Sequence, residues 1–416
     1  MKKLLIVLLI LLIAFGGYIL YDNYREKGIE ILKTEEGIIN IDELFIYGNH
    51  LNLHGNLVDD KNLDLVLYNG DFLSFDINVT DNGFNLSDKI NEGILLDDIP
   101  IGKYYAFLRS TSKDEKDNDI YKYYVLNNNT SYKETEYYTF SNIGNKVLID
   151  SDDQYKTLTI DVSKDNLENV YDVVVDPGHG GMDSGASKNG HKEADYTMKL
   201  ALSLKDKLES YGVRVKLTRE ENQLTLNETL PNYGIHGRAV IPYEVKAKYL
   251  FSIHLNSNTY SSVGGVEVYT ANNINYDFSR KLVNNITDLA GTNYSKNAIN
   301  KVFDGVYTRI FTESDISKSL NEYKQKKMNP YDITTKSNYY FIIRETGGIV
   351  TGAYVDDRNE EISGNPYYNS NVGCEAYLLE LGYLTNKGDI DNINNNLDKY
   401  TSAIADTFKT IFVRWY

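Results

Sequence analysis

The sequence predicts an α/β domain with a mostly parallel central sheet flanked by helices, preceded by an all-β, sandwich-like domain and an N-terminal transmembrane helix. From residue 171 onward, short apolar strands alternate with longer helical periods, which is typical of a parallel sheet. Between residues 44 and 163, runs rich in Val, Ile, Tyr, Phe and Thr are separated by turn clusters of Asn, Asp and Gly. The N-terminus is an almost unbroken apolar run. We therefore expect a membrane segment at 1–21, a linker at 22–43, a β-rich domain at 44–168 and the α/β domain at 169–416.

The apolar N-terminal run predicts a membrane anchor. Lys2 and Lys3 precede apolar residues from Leu4 to Leu20, which is about the length that spans a bilayer as a helix. The positive flank stays in the cytoplasm, so the rest of the chain faces outward as part of a single-pass protein of the cell membrane. The alternative is secretion after signal cleavage, although the run offers no clear small-x-small cleavage site. Either way, we expect the working part of the chain to be exported.

The composition limits the classes of function. The 416 residues allow two or three domains of roughly 100–200 residues each. The net charge of -16 argues against a nucleic-acid partner, because phosphate contacts need clustered Lys and Arg. The single cysteine, Cys374, excludes an internal disulfide and a cysteine-based zinc site, and its apolar surroundings favour a buried residue over a nucleophile.

The β-rich domain offers no convincing catalytic group. Representative strand patterns lie at residues 64–68, 72–79 and 103–108. His50 and His54 are four residues apart and share one face of a predicted strand, but no third ligand follows them. The pair is therefore interpreted as structural.

The α/β domain is predicted to contain a regular series of elements. Its first strand, at 171–175, stops at Asp176, and a helix at 192–209 ends just before Gly212. The following elements are a strand at 213–217, helical segments around 237–249 and 278–289, strands at 249–253, 265–269, 339–343 and 376–381, and a closing helix at 401–413.

Polar residues at the ends of these strands are the candidate functional groups. His179 follows the first strand, His254 follows the strand at 249–253, and Glu380 follows an apolar run. Glu193 stands near the start of the first helix. Because open α/β sheets place their ligands at the carboxyl ends of their strands, we expect these four side chains to lie close together.

This set of residue types indicates zinc-dependent hydrolysis. Two imidazoles and one carboxylate bind zinc and leave one position for a water, whose pKa the metal lowers to about 7. A separate carboxylate is still needed to move a proton to the leaving nitrogen, and Glu380 fits that role. Each residue alone also has an ordinary explanation: a loop histidine, a strand-end acid, or a helix-start carboxylate stabilised by the helix dipole. The glycines around His179 match neither a dinucleotide fingerprint nor a Walker motif.

The same residues resemble the zinc-dependent N-acetylmuramoyl-L-alanine amidases of amidase family 3. Residues 174–186 are similar to that family's first metal motif, and the segment starting at Lys192 and Glu193 is similar to the second. Residues 250–257 look like the third metal motif, and residues 377–386 look like the catalytic-glutamate motif. The resemblance covers about residues 171–413.

The resemblance implies a role for each matched residue. One zinc ion would be bound by His179, Glu193 and His254, with Glu380 as general base and acid. His191, a neighbour of Glu193, is a less favoured ligand. Three further residues are expected to contact substrate or support the metal ligands: Asp176, Arg238 and Asn256.

The implied function is hydrolysis of the amide bond between N-acetylmuramic acid and L-alanine in peptidoglycan, by attack of zinc-bound hydroxide. The expected partners are peptidoglycan and, through the N-terminal helix, the membrane; a protein regulator is possible and unidentified. Two alternatives stay open, a catalytically inactive wall-binding or regulatory protein and another exported zinc amide hydrolase. The long polar connections at 272–338 and 347–373 either border the substrate groove or decorate the surface.

Overall fold

The computed structural model describes residues 38–412, except 57–61, 82, 128–133, 182, 221–236, 297–299, 328–332 and 354–364. The predicted membrane segment at 1–21 and most of the predicted linker at 22–43 lie outside the described residues. No helix within the described part of the chain is both long and apolar enough to cross a membrane.

The N-terminal part of the described chain consists of strands. The first strand begins at Ile38, before the predicted domain boundary at residue 44. Besides strands, the described residues between 38 and 168 contain one 3-10 turn, at Leu96–Asp98. The strands are β1 (Ile38–Tyr47), β2 (His50–Gly55), β3 (Leu63–Tyr68), β4 (Phe72–Asp76), β5 (Asn78–Thr80), β6 (Gly83–Asn85), β7 (Ile94–Leu95), β8 (Gly102–Lys113), β9 (Asp119–Asn127), β10 (Thr135–Tyr138), β11 (Asn145–Asp152) and β12 (Thr157–Lys164).

These strands form one branched sheet around an apolar core. Its order is β10-β11-β12-β8-β9-β1-β2-β6-β5, with β3 joining β8 to β4 and β7 pairing with β2. Alternate residues of β8, such as Tyr104, Ala106 and Leu108, enter the core, as the two-residue period of a strand requires. The β-rich character agrees with the prediction, while the layering of a sandwich stays a prediction. We call residues 38–164 the β domain.

The second part of the chain alternates strands and helices. Its strands are β13 (Val173–Pro177), β14 (Ser187–Lys188), β15 (His191–Lys192), β16 (Val215–Leu217), β17 (Tyr249–Asn256), β18 (Glu267–Thr270), β19 (Lys301–Phe303), β20 (Val306–Thr308), β21 (Val372–Gly373) and β22 (Glu375–Tyr383). Its helices are α1 (Glu193–Glu209), α2 (Ile241–Glu244), α3 (Asp277–Ala290), α4 (Glu313–Lys326), α5 (Phe341–Thr346) and α6 (Lys387–Phe412).

The central sheet of this part is mixed, so the prediction of a mostly parallel sheet holds in part. Its order is β16-β13-β17-β22-β18-β20-β19. The first four strands are parallel, but β18 runs antiparallel to β22, and β19 runs antiparallel to β20. A parallel neighbour needs a crossover of a dozen or more residues, usually a helix. Residues 257–266 between β17 and β18 contain no helix, so the chain returns in the opposite direction.

Several predicted elements differ from the observed ones. The segment 339–343, predicted as a strand, contributes to helix α5, which buries Ile342, Ile343 and Arg344. Packing on the sheet has therefore overridden the strand propensity of its aromatic and β-branched residues. The helix predicted around 237–249 is reduced to α2. Helix α6 begins at Lys387 but is kinked at the non-helical Asn396, and its part after the kink corresponds to the closing helix predicted at 401–413. Helix α4 and the β19–β20 hairpin lie in a region predicted only as a polar connection.

Candidate metal centre

The strand ends bring the predicted site residues to one edge of the sheet. His179 lies two residues beyond the end of β13 and has a left-handed backbone with φ of 59°, which is uncommon for a residue other than glycine. Gly178 before it allows the close approach of His254, because a Cβ atom at position 178 would lie 2.4 Å from the His254 ring. The local backbone is thus shaped to bring two imidazoles together.

His179, Glu193 and His254 form a group of three potential metal ligands. Each offers one ligand atom, and these three atoms lie within 4.8 Å of one another. Oε1 of Glu193 is 3.2 Å from Nε2 of His179 and 3.0 Å from Nδ1 of His254. Tetrahedral ligands about 2.0–2.1 Å from zinc are about 3.3 Å apart, so the donor set and its spacing fit that metal.

The carboxylate of Glu193 is held by the backbone around it. Glu193 is the first residue of α1 and its side chain is only 5% exposed. Oε2 accepts a hydrogen bond from the Ala186 amide at 2.9 Å, and Oε1 accepts one from the Leu255 amide at 2.9 Å. Gly185 leaves room for this carboxylate, since a Cβ atom there would lie 2.6 Å from Oε2.

The electrostatics of the group favour a positive charge between its members. Burial alone would raise the pKa of Glu193, but the hydrogen bonds and charges of His179 and His254 hold it well below its usual value. Burial lowers the pKa of His179, yet hydrogen bonds and charges from Glu193 and then Asp183 outweigh it and raise that pKa to about 9. A divalent cation satisfies the same carboxylate once the imidazoles give up their protons.

Asp183 supports His179 from the side opposite to Glu193. Its Oδ2 lies 2.8 Å from Nδ1 of His179. A carboxylate on the outer nitrogen of a metal-binding histidine fixes the ring orientation and its tautomer. The histidine therefore presents Nε2 to the ligand group.

Glu380 lies beside the ligand group without belonging to it. It sits on β22 as the Cα partner of His254 on β17, and it is partly exposed. Among the described residues its Oε2 has no hydrogen-bond partner. Burial, followed by the charges of Glu193 and Glu267, raises the pKa of Glu380 well above its usual value. An unpartnered carboxyl group that retains a proton easily is suited to proton transfer.

Glu267 is a functional candidate that the sequence analysis did not single out. It is fully buried on β18 and is the Cα partner of Glu380. Tyr269 donates to its Oε2 at 2.8 Å, and Tyr383 donates to its Oε1. The sequence does indicate this residue, because Glu267 stands between Val266 and Val268 in an apolar strand, as Glu380 does in its own strand.

Asp176 and Arg238 hold the loop that carries His179. Arg238 forms a 2.5 Å ion pair with Asp176 and also donates to the carbonyls of Pro177 and His179, at 3.0 and 2.6 Å. Burial raises the pKa of Asp176, but Arg238 and the hydroxyl donors Ser252 and Thr218 bring it below its usual value. Both residues are buried, so they are placed to hold the loop that carries His179 and not to contact substrate.

Asn256 lies at the open end of β17. Its amide donates to Oε2 of Glu267 at 3.2 Å. It also lines a cavity of about 1250 Å³ that contains several other polar side chains, among them Asn258, Tyr294, Lys296, Tyr383 and Asn386. A polar groove thus begins beside Glu267 and Tyr383.

The remaining candidates lie outside the ligand group. Nδ1 of His191 is 2.7 Å from the hydroxyl of Tyr196. His54 faces Glu43 at 3.0 Å within the β domain. Cys374 is buried, and burial raises the pKa of its thiol well above the usual range. A buried thiol of this kind is a packing residue.

Comparison with known proteins identifies a family model that covers most of the α/β part. The model, described as N-acetylmuramoyl-L-alanine amidase, matches residues 173–409. Its bounds include all three potential metal ligands and Glu380.

Curated relatives include two staphylococcal proteins, each named probable cell wall amidase LytH. The protein of Staphylococcus saprophyticus is 41% identical over 100 residues, which are 23% of this chain and 30% of the relative. The protein of Staphylococcus epidermidis is 26% identical over 245 residues, which are 58% of each chain. The match therefore spans well under two thirds of the length of these relatives.

Two of the solved structures that this chain matches are an amidase from Nostoc punctiforme and a protein from Clostridium difficile. N-acetylmuramoyl-L-alanine amidase AmiC2 of Nostoc punctiforme is 20% identical with a TM-score of 0.38, covering 59% of this chain and 98% of that one. Cwp6 from Clostridium difficile is 22% identical with a TM-score of 0.39, covering 58% of this chain and 29% of that one.

Proposed function

The chain belongs to the N-acetylmuramoyl-L-alanine amidase family whose model it matches, and on that basis we propose that it hydrolyses the amide bond between N-acetylmuramic acid and L-alanine in peptidoglycan. The observation that carries the proposal is the convergence of His179, Glu193 and His254 beside Glu380. Three metal ligands plus a separate carboxylate are the set that metal-assisted amide hydrolysis requires.

We propose that His179, Glu193 and His254 hold one zinc ion. The donor set of two imidazoles and one carboxylate supports this choice, as does the spacing of the ligand atoms. When bound at such a site, zinc polarises a carbonyl oxygen and lowers the pKa of a water to about 7. Glu193 is fixed by two backbone amides, so the carboxylate keeps its place whether or not the imidazoles are protonated.

Glu380 is the residue proposed to move the proton. It accepts a proton from the attacking water, whose oxygen adds to the lactyl carbonyl carbon, and delivers that proton to the alanine nitrogen as the carbon–nitrogen bond breaks. The products are a lactyl carboxylate and a free L-alanine amino group. The raised pKa of Glu380 makes its ionised form a stronger base than an ordinary carboxylate, which suits it to taking the proton from the water.

The polar groove beside Asn256 and Tyr383 is proposed to receive the substrate. It opens at the same edge of the sheet as Glu380, and its polar side chains are mainly amides and hydroxyls. Such a surface suits a glycopeptide, which offers N-acetyl groups, hydroxyls and backbone amides to hydrogen bonding.

A location at the outer face of the cell membrane is proposed together with the activity. Lys2 and Lys3 before the apolar run at 4–20 support an N-terminal anchor, and the proposed substrate lies outside the cytoplasm. Protease treatment of intact protoplasts is the test: degradation of residues beyond 38 with retention of an N-terminal membrane fragment is expected, and full protection would contradict the orientation.

The activity is tested by digestion of purified peptidoglycan with the chain from residue 22 onward, after chelation and after readdition of zinc. Release of stem peptides that begin with L-alanine, in the zinc sample alone, is expected. Tight binding to the wall without products would instead identify an inactive wall-binding protein. Cleavage of an acetyl group or of another peptide bond would identify a different zinc hydrolase.

A further inference from the structure

The β domain contacts the starts of the three strands whose other ends carry the site. Asp172 immediately precedes β13, Lys248 precedes β17, and Glu375 is the first residue of β22. All three are charged residues that are at most 3% exposed. Ionised groups at such depth are costly unless they are paired or hydrogen-bonded, so their partners determine whether these strand starts are stable.

The partners of the three residues come in large part from the β domain. Asp172 accepts hydrogen bonds from the amide and the hydroxyl of Ser141, at 2.8 and 2.5 Å. Lys248 donates to the carbonyl of Thr139 at 2.8 Å. Glu375 accepts from the side-chain amide of Asn91 at 2.8 Å.

Further contacts join the two parts at the same place. Strand β21 pairs with β1, and the amide of Gly48 donates to the carbonyl of Gly373 at 2.9 Å. The ring of Phe140 stacks on that of Tyr249, the first residue of β17, with centroids 6.2 Å apart. The apolar core of the α/β part also includes Phe45, Tyr47 and Phe140 from the β domain. The two parts therefore share one packed interior.

The strands connect these contacts to the site. His254 is five positions after Tyr249, and Glu380 is five positions after Glu375, a distance of about 17 Å along an extended strand. Packed strands are stiff, so a shift at the start of one strand relative to its neighbours is transmitted to its end. Metal ligands must keep their places to within about 0.5 Å.

We propose that Ser141 and Asn91 of the β domain are positioning residues for the metal centre, acting through the starts of β13 and β22. The β domain is then a constituent part of the catalytic unit instead of a detachable wall-binding module. This inference rests on the proposed zinc-dependent function.

The test compares two sets of variants of the full chain that break contacts between the two parts. Ser141→Ala, alone and combined with Asn91→Ala, removes donors to site-bearing strands. Asn371→Ala is the matched control, because it removes the 2.6 Å hydrogen bond from Asn371 to Thr135 across the same interface but next to β21, which carries neither a potential metal ligand nor Glu380. Ser141→Thr keeps the hydroxyl and serves as the conservative rescue.

The readouts are the dissociation constant for zinc, measured by competition with a chelator, and the far-ultraviolet circular dichroism that reports folding. Folded Ser141→Ala and the double variant are expected to bind zinc about 2- to 30-fold more weakly than the parent, while Asn371→Ala and Ser141→Thr bind it as the parent does. Equal zinc affinity in parent and Ser141→Ala, or an equal loss in Asn371→Ala, would overturn the inference. A parent chain that binds no zinc at all would overturn the proposed function instead.

Discussion

His254 and Glu380 are Cα partners on the adjacent parallel strands β17 and β22, so their side chains leave the same face of the sheet at its active edge. One of the two belongs to the ligand group, and the other does not. In the proposed mechanism, metal binding and proton transfer therefore lie on neighbouring strands, and we expect mutations to separate the two functions.

Glu380→Gln is expected to remove activity without removing the metal. The amide has nearly the shape of the carboxyl group but cannot carry the proton, and general acid–base catalysis contributes about 100- to 10,000-fold. Hydrolysis rate and zinc content are measured on the same preparation. A variant that loses its zinc in proportion to its activity would show that Glu380 acts as a ligand.

His254→Ala is expected to lose bound zinc and activity together, because it removes one of the three ligands. His191→Ala is the matched control: it removes a histidine close to Glu193 in sequence whose Nδ1 faces Tyr196. The control should retain zinc, as measured by elemental analysis after gel filtration. Loss of zinc in His191→Ala with retention in His254→Ala would reverse the ligand assignment.

The metal-free protein is expected to lose stability as the pH rises from about 6.5 to 9. The pKa of His179 is raised from its ordinary 6.5 to about 9, so its contribution is fully present below 6.5 and is lost as the pH passes through 9. Because the side chain is 26% exposed, we expect a decrease in the free energy of unfolding on the order of 1–2 kcal/mol.

Urea unfolding of the chelated protein across this pH range measures the effect. His179→Ala is the control, since its metal-free form lacks the titrating group and should show a flatter profile. Zinc affinity should rise over the same interval, because the metal competes with the imidazole proton. A pH profile of the chelated parent that matches the variant would refute the assigned shift.

Arg238→Met is expected to cost about 3–5 kcal/mol of the free energy of unfolding, because it leaves Asp176 buried without its cation. Lys387→Met removes a pair of similar chemistry with Asp391, whose two side chains are 85% and 54% exposed. No measurable change is expected there. Denaturant unfolding of both variants provides the comparison, and equal effects would mean that the Asp176 pair has no special structural role.

The site was more predictable from the sequence than the fold around it. His179 and His254 follow directly from strand ends, and the glycines beside His179 indicate a backbone that permits close approach. Glu193 was also a candidate from its place near a helix start, although an acid there is common without a metal, and the family resemblance implied the same role for it. Asp176 and Arg238 were expected near substrate or metal, but only packing shows that both are buried beneath the loop.

The features that escaped prediction depend on long-range pairing. Glu267 has the same sequence setting as Glu380, but its place beside Glu380 depends on β18 running antiparallel to β22, which tertiary packing sets. The segment 339–343 has strand propensity yet contributes to α5. In sequence, Lys248 and Glu375 are indistinguishable from exposed charged residues at strand starts. Their burial could not be predicted, because their partners Thr139 and Asn91 lie more than a hundred residues away in the chain.

The most direct test of the proposed function uses a soluble glycopeptide that contains one N-acetylmuramoyl-L-alanine bond, incubated with the zinc-loaded parent and with Glu380→Gln. Mass spectrometry of the products and labelling of new amino groups identify the bond that breaks. We predict a free peptide with an L-alanine amino terminus and a muramic acid carboxylate from the parent, and unchanged substrate from the variant. An intact muramoyl–alanine bond in the zinc-loaded parent, or equal cleavage by both proteins, would contradict the proposed activity or the role of Glu380.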